Sequence, residues 1–282
     1  MKSIYTLIPD IYNLVGGDNG ITDLLASDMG NNIAGAINTS LGPQSPRGLR
    51  LSAMGPRCPK ALWHSINTPE LAEPLPPYAR IKYTYGHIIE HLVIGLAKAA
   101  GHEVTGEQDE LVVDGIHGHR DCVIDGAVVD IKSASSRGFQ KFKDKSIAQA
   151  DDFGYLDQLD GYSLGSLEDN LVRIKDKAYL LAIDKTLGHM VLYEHKVRHA
   201  HIQKRISDYK RIVRLDQPPR CECQSIPDGK SGNLKLDTRA SYSPWKQVCN
   251  PGLRTFLYAS GPVYLTKVVR VPDVTELTRT LH

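Results

Sequence analysis

The 282-residue chain has few cysteines, few aromatic residues and little net charge. Its five cysteines are scattered and too few for a disulfide scaffold. A formal net charge of +2 excludes a strongly basic coat protein. That charge is compatible with an enzyme of nucleic acids, which needs only local basic patches around an acidic site.

Long hydrophobic runs are also missing. No stretch approaches the roughly 20 apolar residues that cross a bilayer. Residues 1–15 are interrupted by Pro9, Asp10 and Asn13, unlike a signal peptide. We find no internal repeat and no low-complexity tract. We therefore expect a cytoplasmic globular protein without a membrane partner.

The spacing of apolar residues predicts a mixture of helices and strands. Helical periodicity covers residues 4–15, 21–37, 79–100, 146–167 and 196–213, and β-like runs cover residues 111–113, 117–124, 127–133, 177–184, 189–194 and 264–271. The turn pair Asp125-Gly126 joins two of these runs into a hairpin. This order predicts an α/β or α+β fold with a mixed central sheet flanked by helices.

Proline-rich segments divide the chain into three parts. A proline-rich linker covers residues 69–77, and the chain becomes irregular after Pro218-Pro219. We expect a helical N-terminal cap with its linker over residues 1–78 and a core over residues 79–215. Residues 216–282 would form a C-terminal extension that packs back on the core.

The central hairpin carries an unusual pair of charges. Asp130 and Lys132 are two residues apart, so in a strand they project from one face while Val129 and Ile131 project from the other. Charged groups in an otherwise apolar strand are costly unless they are paired or bind something. The pattern therefore indicates a functional site.

Asp121 lies on the preceding strand, across the hairpin turn. Asp121 and Asp130 can converge on one divalent cation, because Mg²⁺ and Mn²⁺ prefer carboxylate oxygens. A water molecule would be the nucleophile, and Lys132 would orient it or stabilise charge on a phosphate. The alternative is that both aspartates are solvated hairpin residues and that Lys132 is their surface partner.

Two helices contribute further candidates. Glu90 lies in the long helix before the strands and can supply another carboxylate. Gln158 and Tyr162 are four residues apart and therefore share one helical face, from which both can reach a phosphate. The alternative is an ordinary exposed acid at position 90 and plain helix residues at positions 158 and 162.

Together these segments resemble a nuclease family. Gly86-His-Ile-Ile-Glu90, Gly118-His-Arg-Asp121, Val129-Asp-Ile-Lys132 and Gln158-Leu-Asp-Gly-Tyr162 are similar, in this order, to motifs of the RecB-like branch of the PD-(D/E)XK nucleases. That branch includes CRISPR-associated adaptation exonucleases, the mitochondrial genome maintenance exonuclease and nucleases of tailed phages. The segment 151–159 is most similar to the phage members. The resemblance covers residues 79–195.

The resemblance implies a restriction-endonuclease-like core and a set of catalytic residues: Glu90, Asp121, Asp130, Lys132, Gln158 and Tyr162. It also implies that one or two Mg²⁺ or Mn²⁺ ions are held by Glu90, Asp121, Asp130 and the backbone carbonyl of Ile131. His87 and His91 are alternatives to Glu90, because many members of the family carry histidine at that helix position.

The implied activity is that of a DNA exonuclease acting on single strands or duplex ends. It would serve phage or plasmid replication, recombination or degradation, with recombination or replication proteins as partners, in the host cytoplasm if a phage encodes it. A site-specific or structure-specific endonuclease is an open alternative. A non-catalytic DNA-binding recombination partner and a structural phage protein with a chance match are others.

Several members of the family bind an iron–sulfur cluster through one cysteine before the core and three after it. Cys58 is similar to the first of these. The later group is altered, because the family's spacing before Cys249 falls on Ser243 and Ala240, which cannot bind iron as a thiolate can.

Cys221 and Cys223 can replace the missing ligands, which would give four thiols with Cys58 and Cys249. A [4Fe-4S] cluster or a zinc ion held by these four is therefore an open alternative. The interpretation that the sequence favours is a lost cluster, with the fold held by packing.

A basic segment follows the catalytic strand. Residues 133–145 combine hydroxyl groups, basic groups and two phenylalanines, which suits a loop that grips phosphates and stacks on bases. The candidates for DNA contacts are Ser133, Ser135, Arg137, Lys141 and Lys143. The alternative is a solvated run of charges.

Overall fold

The computed structural model describes residues 2–18, 20–42 and 48–277. In chain order, the α-helices of this part are α1 (Leu7–Gly16), α2 (Asp23–Leu41), α3 (Pro59–Asn67), α4 (Pro77–Ala99), α5 (Ser136–Lys143), α6 (Tyr155–Gly165), α7 (His199–Val213), α8 (Thr238–Ser241) and α9 (Lys246–Cys249). The strands are β1 (Val104–Thr105), β2 (Glu110–Val113), β3 (Ile116–His119), β4 (Cys122–Ile124), β5 (Ala127–Ala134), β6 (Lys177–Asp184), β7 (Met190–Lys196), β8 (Ser225–Pro227), β9 (Leu234–Leu236), β10 (Arg254–Tyr258), β11 (Gly261–Lys267) and β12 (Glu276–Leu277).

The chain separates into two compact units, which we describe one at a time. The first contains residues 1–55 and 76–206, and the second contains residues 56–75 and 207–282. These bounds differ from the three segments drawn from the sequence, and that division stays a prediction. Among the described helices, none combines the length and the apolar character that a bilayer span needs.

The first unit is built on a five-stranded sheet in the order β1-β4-β5-β6-β7. Strands β5 and β6 are parallel, and the other neighbours are antiparallel. A parallel pair needs a crossover connection, and the segment that carries α5 and α6 supplies it. The predicted mixed sheet flanked by helices is thereby confirmed.

The hairpin of β4 and β5 forms where the sequence predicts it. Asp125 and Gly126 both have positive φ, 52° and 83°, as a two-residue type I′ turn requires. Cys122 lies opposite Val129 in the resulting register. Val129 and Ile131 then join the apolar core beneath α1 and α4, which turns Asp130 and Lys132 to the other face.

The prediction of one continuous strand over residues 117–124 is wrong. The chain leaves the two-stranded sheet of β2 and β3 at His119 and enters the main sheet at Cys122. Between them, the fully buried Arg120 donates hydrogen bonds to Gly106 O and Ser166 Oγ and pairs with two carboxylates, Asp109 and Asp169. This buried guanidinium holds the break in place.

The second unit contains an antiparallel five-stranded sheet in the order β12-β10-β11-β9-β8. Only the strand near residues 264–271 follows from the sequence pattern, and the structure places it earlier, at Gly261–Lys267. Strands β8, β9 and β12 have two or three residues each, too few for a period of two to be recognised.

Candidate active site

Strand β5 places an ion pair inside the first unit. The side chain of Asp130 is fully buried, and its Oδ2 lies 2.6 Å from Lys132 Nζ. The alternative in which the hairpin aspartates are solvated is therefore wrong for Asp130. A carboxylate so far from water is held by its partners rather than by solvent.

Asp121 lies one residue before β4, so the register of the hairpin brings it opposite Asp130. Its side chain is buried, and its Oδ2 accepts a hydrogen bond of 2.7 Å from the backbone N–H of Ile131. The same two-strand unit thus carries both aspartates. Their approach follows from the turn at Asp125-Gly126 and from the break at Arg120.

Glu90 reaches the site from α4 and is also buried. Its Oε1 accepts a hydrogen bond from the side-chain amide of Gln108, and its Oε2 lies 3.7 Å from His87 Nδ1. The hydrogen bond to Glu90 raises the pKa of His87. The neighbouring His91 has a buried Nδ1 without a hydrogen-bond partner in the described part of the chain.

Gln158 and Tyr162 project from α6 toward the same ion pair. The Gln158 amide donates to Asp130 Oδ1 at 3.0 Å and to the Tyr162 hydroxyl at 2.9 Å. The Gln158 carbonyl accepts from Lys132 Nζ at 3.4 Å. One side chain therefore holds both members of the ion pair, which the spacing of residues 158 and 162 alone does not reveal.

Helix α6 is anchored at two points. It begins at Tyr155, nine residues later than the sequence predicts, because Asp151 accepts hydrogen bonds from the backbone N–H groups of Gly154, Tyr155 and Leu156 and so ends the preceding loop. On its far side, the buried Asp160 is held by two cationic or polar partners.

Those partners are His195, near the end of β7, and Arg198, immediately before α7. Asp160 Oδ1 lies 2.7 Å from His195 Nε2, and Asp160 Oδ2 accepts from the Arg198 guanidinium at 2.8 Å. Burial raises the pKa of Asp160, but the hydrogen bond and charge of His195 and the contacts of Arg198 outweigh it and leave that pKa lowered. Sequence reasoning missed this anchor, since Asp160 and its partners are 35 or more residues apart.

The electrostatics of the site favour a bound cation. Burial, followed by the negative charges of Asp130 and Glu90, raises the pKa of Asp121. Burial also raises the pKa of Asp130, although Lys132 opposes this. Burial lowers the pKa of Lys132, but the attraction of Asp130 and Asp121 outweighs it and leaves the ammonium more basic than usual.

The donor set has the chemistry of a hard-cation site. Buried carboxylates that repel one another gain stability from a divalent ion, and oxygen ligands are those that Mg²⁺ and Mn²⁺ prefer. Within residues 2–18, 20–42 and 48–277, the three carboxylates are not gathered as closely as the four cysteines of the second unit. The Lys132 ammonium, which lies 2.6 Å from Asp130 Oδ2, supplies the positive charge beside Asp130.

The basic segment after β5 is a helix, so the predicted loop is wrong. Ser135 caps α5 by accepting a hydrogen bond from Gly138 N–H, and Phe139 and Phe142 are buried, which removes both rings from base stacking. Lys141 is held by Asp152 Oδ2 at 2.9 Å. Of the other candidates, Arg137 and Lys143 are exposed and Ser133 is half-buried.

The second unit brings four cysteines together. The sulfur atoms of Cys58, Cys221, Cys223 and Cys249 all lie within 4.8 Å of one another. Hydrogen bonds from Cys223 and Cys249 lower the pKa of Cys58, while the pKa of Cys223 is raised to about 12. Cys122, in the first unit, is a buried core residue, as the sequence predicts.

Comparisons with known proteins give only distant similarities. No family model matches the chain, and no curated protein matches it. Among solved structures, the chain is similar to an alkaline exonuclease (LHK-Exo) from Laribacter hongkongensis, with 15% identity and a TM-score of 0.31 over 49% of this chain. The chain covers 62% of the length of that exonuclease, less than two thirds.

Two further solved structures are also distantly similar to the chain. LHK-Exo in complex with dAMP has 12% identity and a TM-score of 0.39, over 65% of this chain and 92% of the other. A protein named SSO0001 has 15% identity and a TM-score of 0.44, over 81% of this chain and 97% of the other. We therefore base the function on the side chains themselves.

Replacing Asp121 by asparagine should stabilise the metal-free protein. A raised pKa means that the folded state disfavours the carboxylate, so stability falls as the pH rises above about 4 and an amide avoids that loss. For a chain of this size, each kcal/mol of added stability raises the melting temperature by about 2–4 °C, so the gain is measurable. Thermal unfolding at pH 7 in EDTA, followed by circular dichroism, measures it.

Asp216→Asn is the matched control, because it makes the same change at an exposed position outside the helices and strands. It should leave the melting temperature unchanged. Mn²⁺ should then stabilise the wild type more than Asp121→Asn. A lower melting temperature of Asp121→Asn in EDTA would contradict this account of the site.

Proposed function

We propose that the chain is a metal-dependent deoxyribonuclease that hydrolyses phosphodiester bonds. The observation that carries this proposal is the buried pair Asp130–Lys132, with Asp121 opposite it on the hairpin and the Gln158 amide bonded to both of its members. A half-buried lysine paired with a fully buried carboxylate, with two further buried carboxylates on neighbouring elements, is costly for folding and useful for handling a phosphate.

The metal would be Mg²⁺ or Mn²⁺, held by Asp121, Asp130, Glu90 and the carbonyl oxygen of Ile131. When bound, it supplies Lewis-acid polarisation of a phosphate oxygen. Because Glu90 is already held by Gln108 and lies near His87, it is positioned as a carboxylate ligand. We place it before either histidine for this reason.

Lys132 acts as a cation in this proposal. Its pKa is raised, so it stays protonated at neutral pH and donates hydrogen bonds as an ammonium group. Its Nζ can orient the attacking water and stabilise negative charge on the scissile phosphate. Gln158 and Tyr162 are positioning residues, since Gln158 bonds to Lys132 and Asp130 and Tyr162 holds Gln158.

For the substrate, we propose single-stranded DNA or the ends of a duplex, cleaved by an exonuclease of phage or plasmid DNA metabolism in the cytoplasm. The motif resemblance over residues 79–195 supports this choice. Arg137 and Lys143, both exposed on α5, are the side chains of that helix best placed for phosphate contacts. An endonuclease would also cut a closed circle, and a non-catalytic protein would bind DNA without cutting it.

Asp130→Asn and Lys132→Met should each lower the rate of DNA cleavage at least about a hundredfold, because the first removes a metal ligand and the second removes the cation beside the reacting phosphate. End-labelled single-stranded and double-stranded DNA, incubated with Mg²⁺, Mn²⁺ or EDTA, gives the rates. Asp216→Asn, the same change at an exposed position outside the helices and strands, serves as control and should cleave like the wild type.

The outcomes separate the alternatives. Cleavage of linear DNA with survival of a closed circle supports the exonuclease, and cutting of the circle supports the endonuclease. Cleavage that persists in both active-site variants would move the active site elsewhere. Binding without cleavage by the wild type would favour the non-catalytic protein.

A further inference from the structure

We propose that the second unit holds a structural zinc ion on Cys58, Cys221, Cys223 and Cys249, rather than the four-iron cluster that the motif resemblance offers. The distances decide between the two. Cys58 Sγ lies 3.8 Å from Cys221 Sγ and 4.0 Å from Cys249 Sγ, and all four sulfurs lie within 4.8 Å of one another.

A single tetrahedral ion fits this spacing. With Zn–S bonds of about 2.3 Å, a tetrahedron places its sulfurs about 3.8 Å apart. In a [4Fe-4S] cluster each cysteine binds a different iron atom, so the sulfurs stand farther apart than around one ion. The observed cysteines are too close together for that arrangement.

The backbone supports the thiolates as in structural metal sites. Glu222 N–H points at Cys58 Sγ at 3.3 Å, and Cys223 N–H points at Cys221 Sγ at 3.4 Å. Such N–H···S contacts stabilise negative charge on sulfur and fix the ligand orientation. Four cysteines without an open position form a closed site, which is structural rather than catalytic.

Few buried apolar residues surround the four cysteines of the second unit. The apolar cluster around the cysteines has only three buried members within the described residues, Ala61, Trp245 and Cys249. The unit has a second small cluster, formed by Leu236, Ala240 and Leu253, and a core divided in this way gains stability from a bound metal. Cys58 belongs to the 56–75 segment, and the other three belong to residues 207–282, so the ion would join the two segments of this unit.

Metal analysis of the full chain tests this proposal. The protein, purified both aerobically and anaerobically from medium containing zinc and iron, should carry about one zinc per chain and no iron. Exchange for Co²⁺ should give the intense visible absorption of a tetrahedral cobalt thiolate. Cys221→Ser and Cys249→Ser should lose the metal, and Cys122→Ala should keep it. About four irons per chain, or no metal in the wild type, would overturn the proposal.

A second proposal follows from an independent observation, and it rests on the proposed nuclease function. We infer that Phe153 is a stacking platform for an unpaired nucleobase beside the scissile phosphate. This large aromatic side chain is 51% exposed, although it lies in the loop immediately before α6. Exposed rings beside a phosphate site suit the faces of unstacked bases.

Ring contacts connect Phe153 to the catalytic lysine. Its ring centroid lies 5.7 Å from that of Tyr155, and the Lys132 ammonium lies 5.1 Å from the Tyr155 centroid. The Tyr155 ring also stacks on the buried Phe142. Phe153 therefore lies one aromatic ring away from the group that contacts the phosphate.

The loop that carries Phe153 is fixed in place. Gly154, with φ of 74°, packs so closely on Gly55 that a Cβ there would lie 2.1 Å from Gly55 Cα. Asp151 holds the start of α6, and Lys141 donates to Ala150 O and pairs with Asp152. A ring on so constrained a loop needs little ordering when it binds a base.

Binding of single-stranded DNA tests the platform. The affinity of a labelled oligonucleotide, measured by fluorescence anisotropy with Ca²⁺ as the metal, should fall about 5- to 100-fold in Phe153→Ala. KM should rise more than kcat falls. Phe153→Trp should bind like the wild type, and its added indole fluorescence should be quenched by DNA. An oligonucleotide with abasic sites should bind wild type and Phe153→Ala equally.

Leu24→Ala is the control, since it removes an exposed apolar side chain from α2. It should leave binding and cleavage unchanged. An active wild type with unchanged affinity in Phe153→Ala would overturn the platform alone. A wild type that neither binds nor cleaves DNA would overturn the nuclease proposal, and this inference with it.

Discussion

The ammonium group of Lys132 lies 2.6 Å from Asp130, a carboxylate withdrawn completely from water. Breaking such a buried pair leaves an uncompensated charge and costs about 3–5 kcal/mol, so the fold must hold both partners in place. The alternation of side chains along β5 contributes to this, because it places Val129 and Ile131 in the apolar core. Asp130 and Lys132 therefore lie on the opposite face.

The neighbouring elements complete the arrangement. The two-residue turn brings Asp121 opposite Asp130, and α6 brings the Gln158 amide between Asp130 and Lys132. Helix α6 is itself fixed by the Asp151 cap and by the Asp160 ion pairs. Burial, followed by the negative charges of Asp130 and Glu90, raises the pKa of Asp121. A site with an excess of buried negative charge is less stable without a cation, and this is the property that makes it suitable for holding one.

Local patterns predict the parts of the site that depend on neighbours in sequence. The period of two around Asp130, the Asp125-Gly126 turn and the spacing of Gln158 and Tyr162 indicate the strand, the hairpin and the helix face. They cannot predict Gln108 on Glu90 or His195 on Asp160, because those contacts join distant segments. The prediction of a loop over residues 133–145 is wrong, because Phe139 and Phe142 are three residues apart, and this helical spacing lets α5 bury both rings. The gathering of four cysteines cannot be predicted locally either, because Cys58 and Cys221 are 163 residues apart.

We propose that Glu90, Asp121 and Asp130 together hold a divalent metal ion beside Lys132. Anomalous diffraction from crystals of the full chain grown with Mn²⁺ tests it most directly. We predict a manganese peak roughly 2.0–2.6 Å from carboxylate oxygens of Asp121 and Asp130. A well-ordered structure at saturating Mn²⁺ with no peak there, or with manganese bound only elsewhere, would contradict the claim.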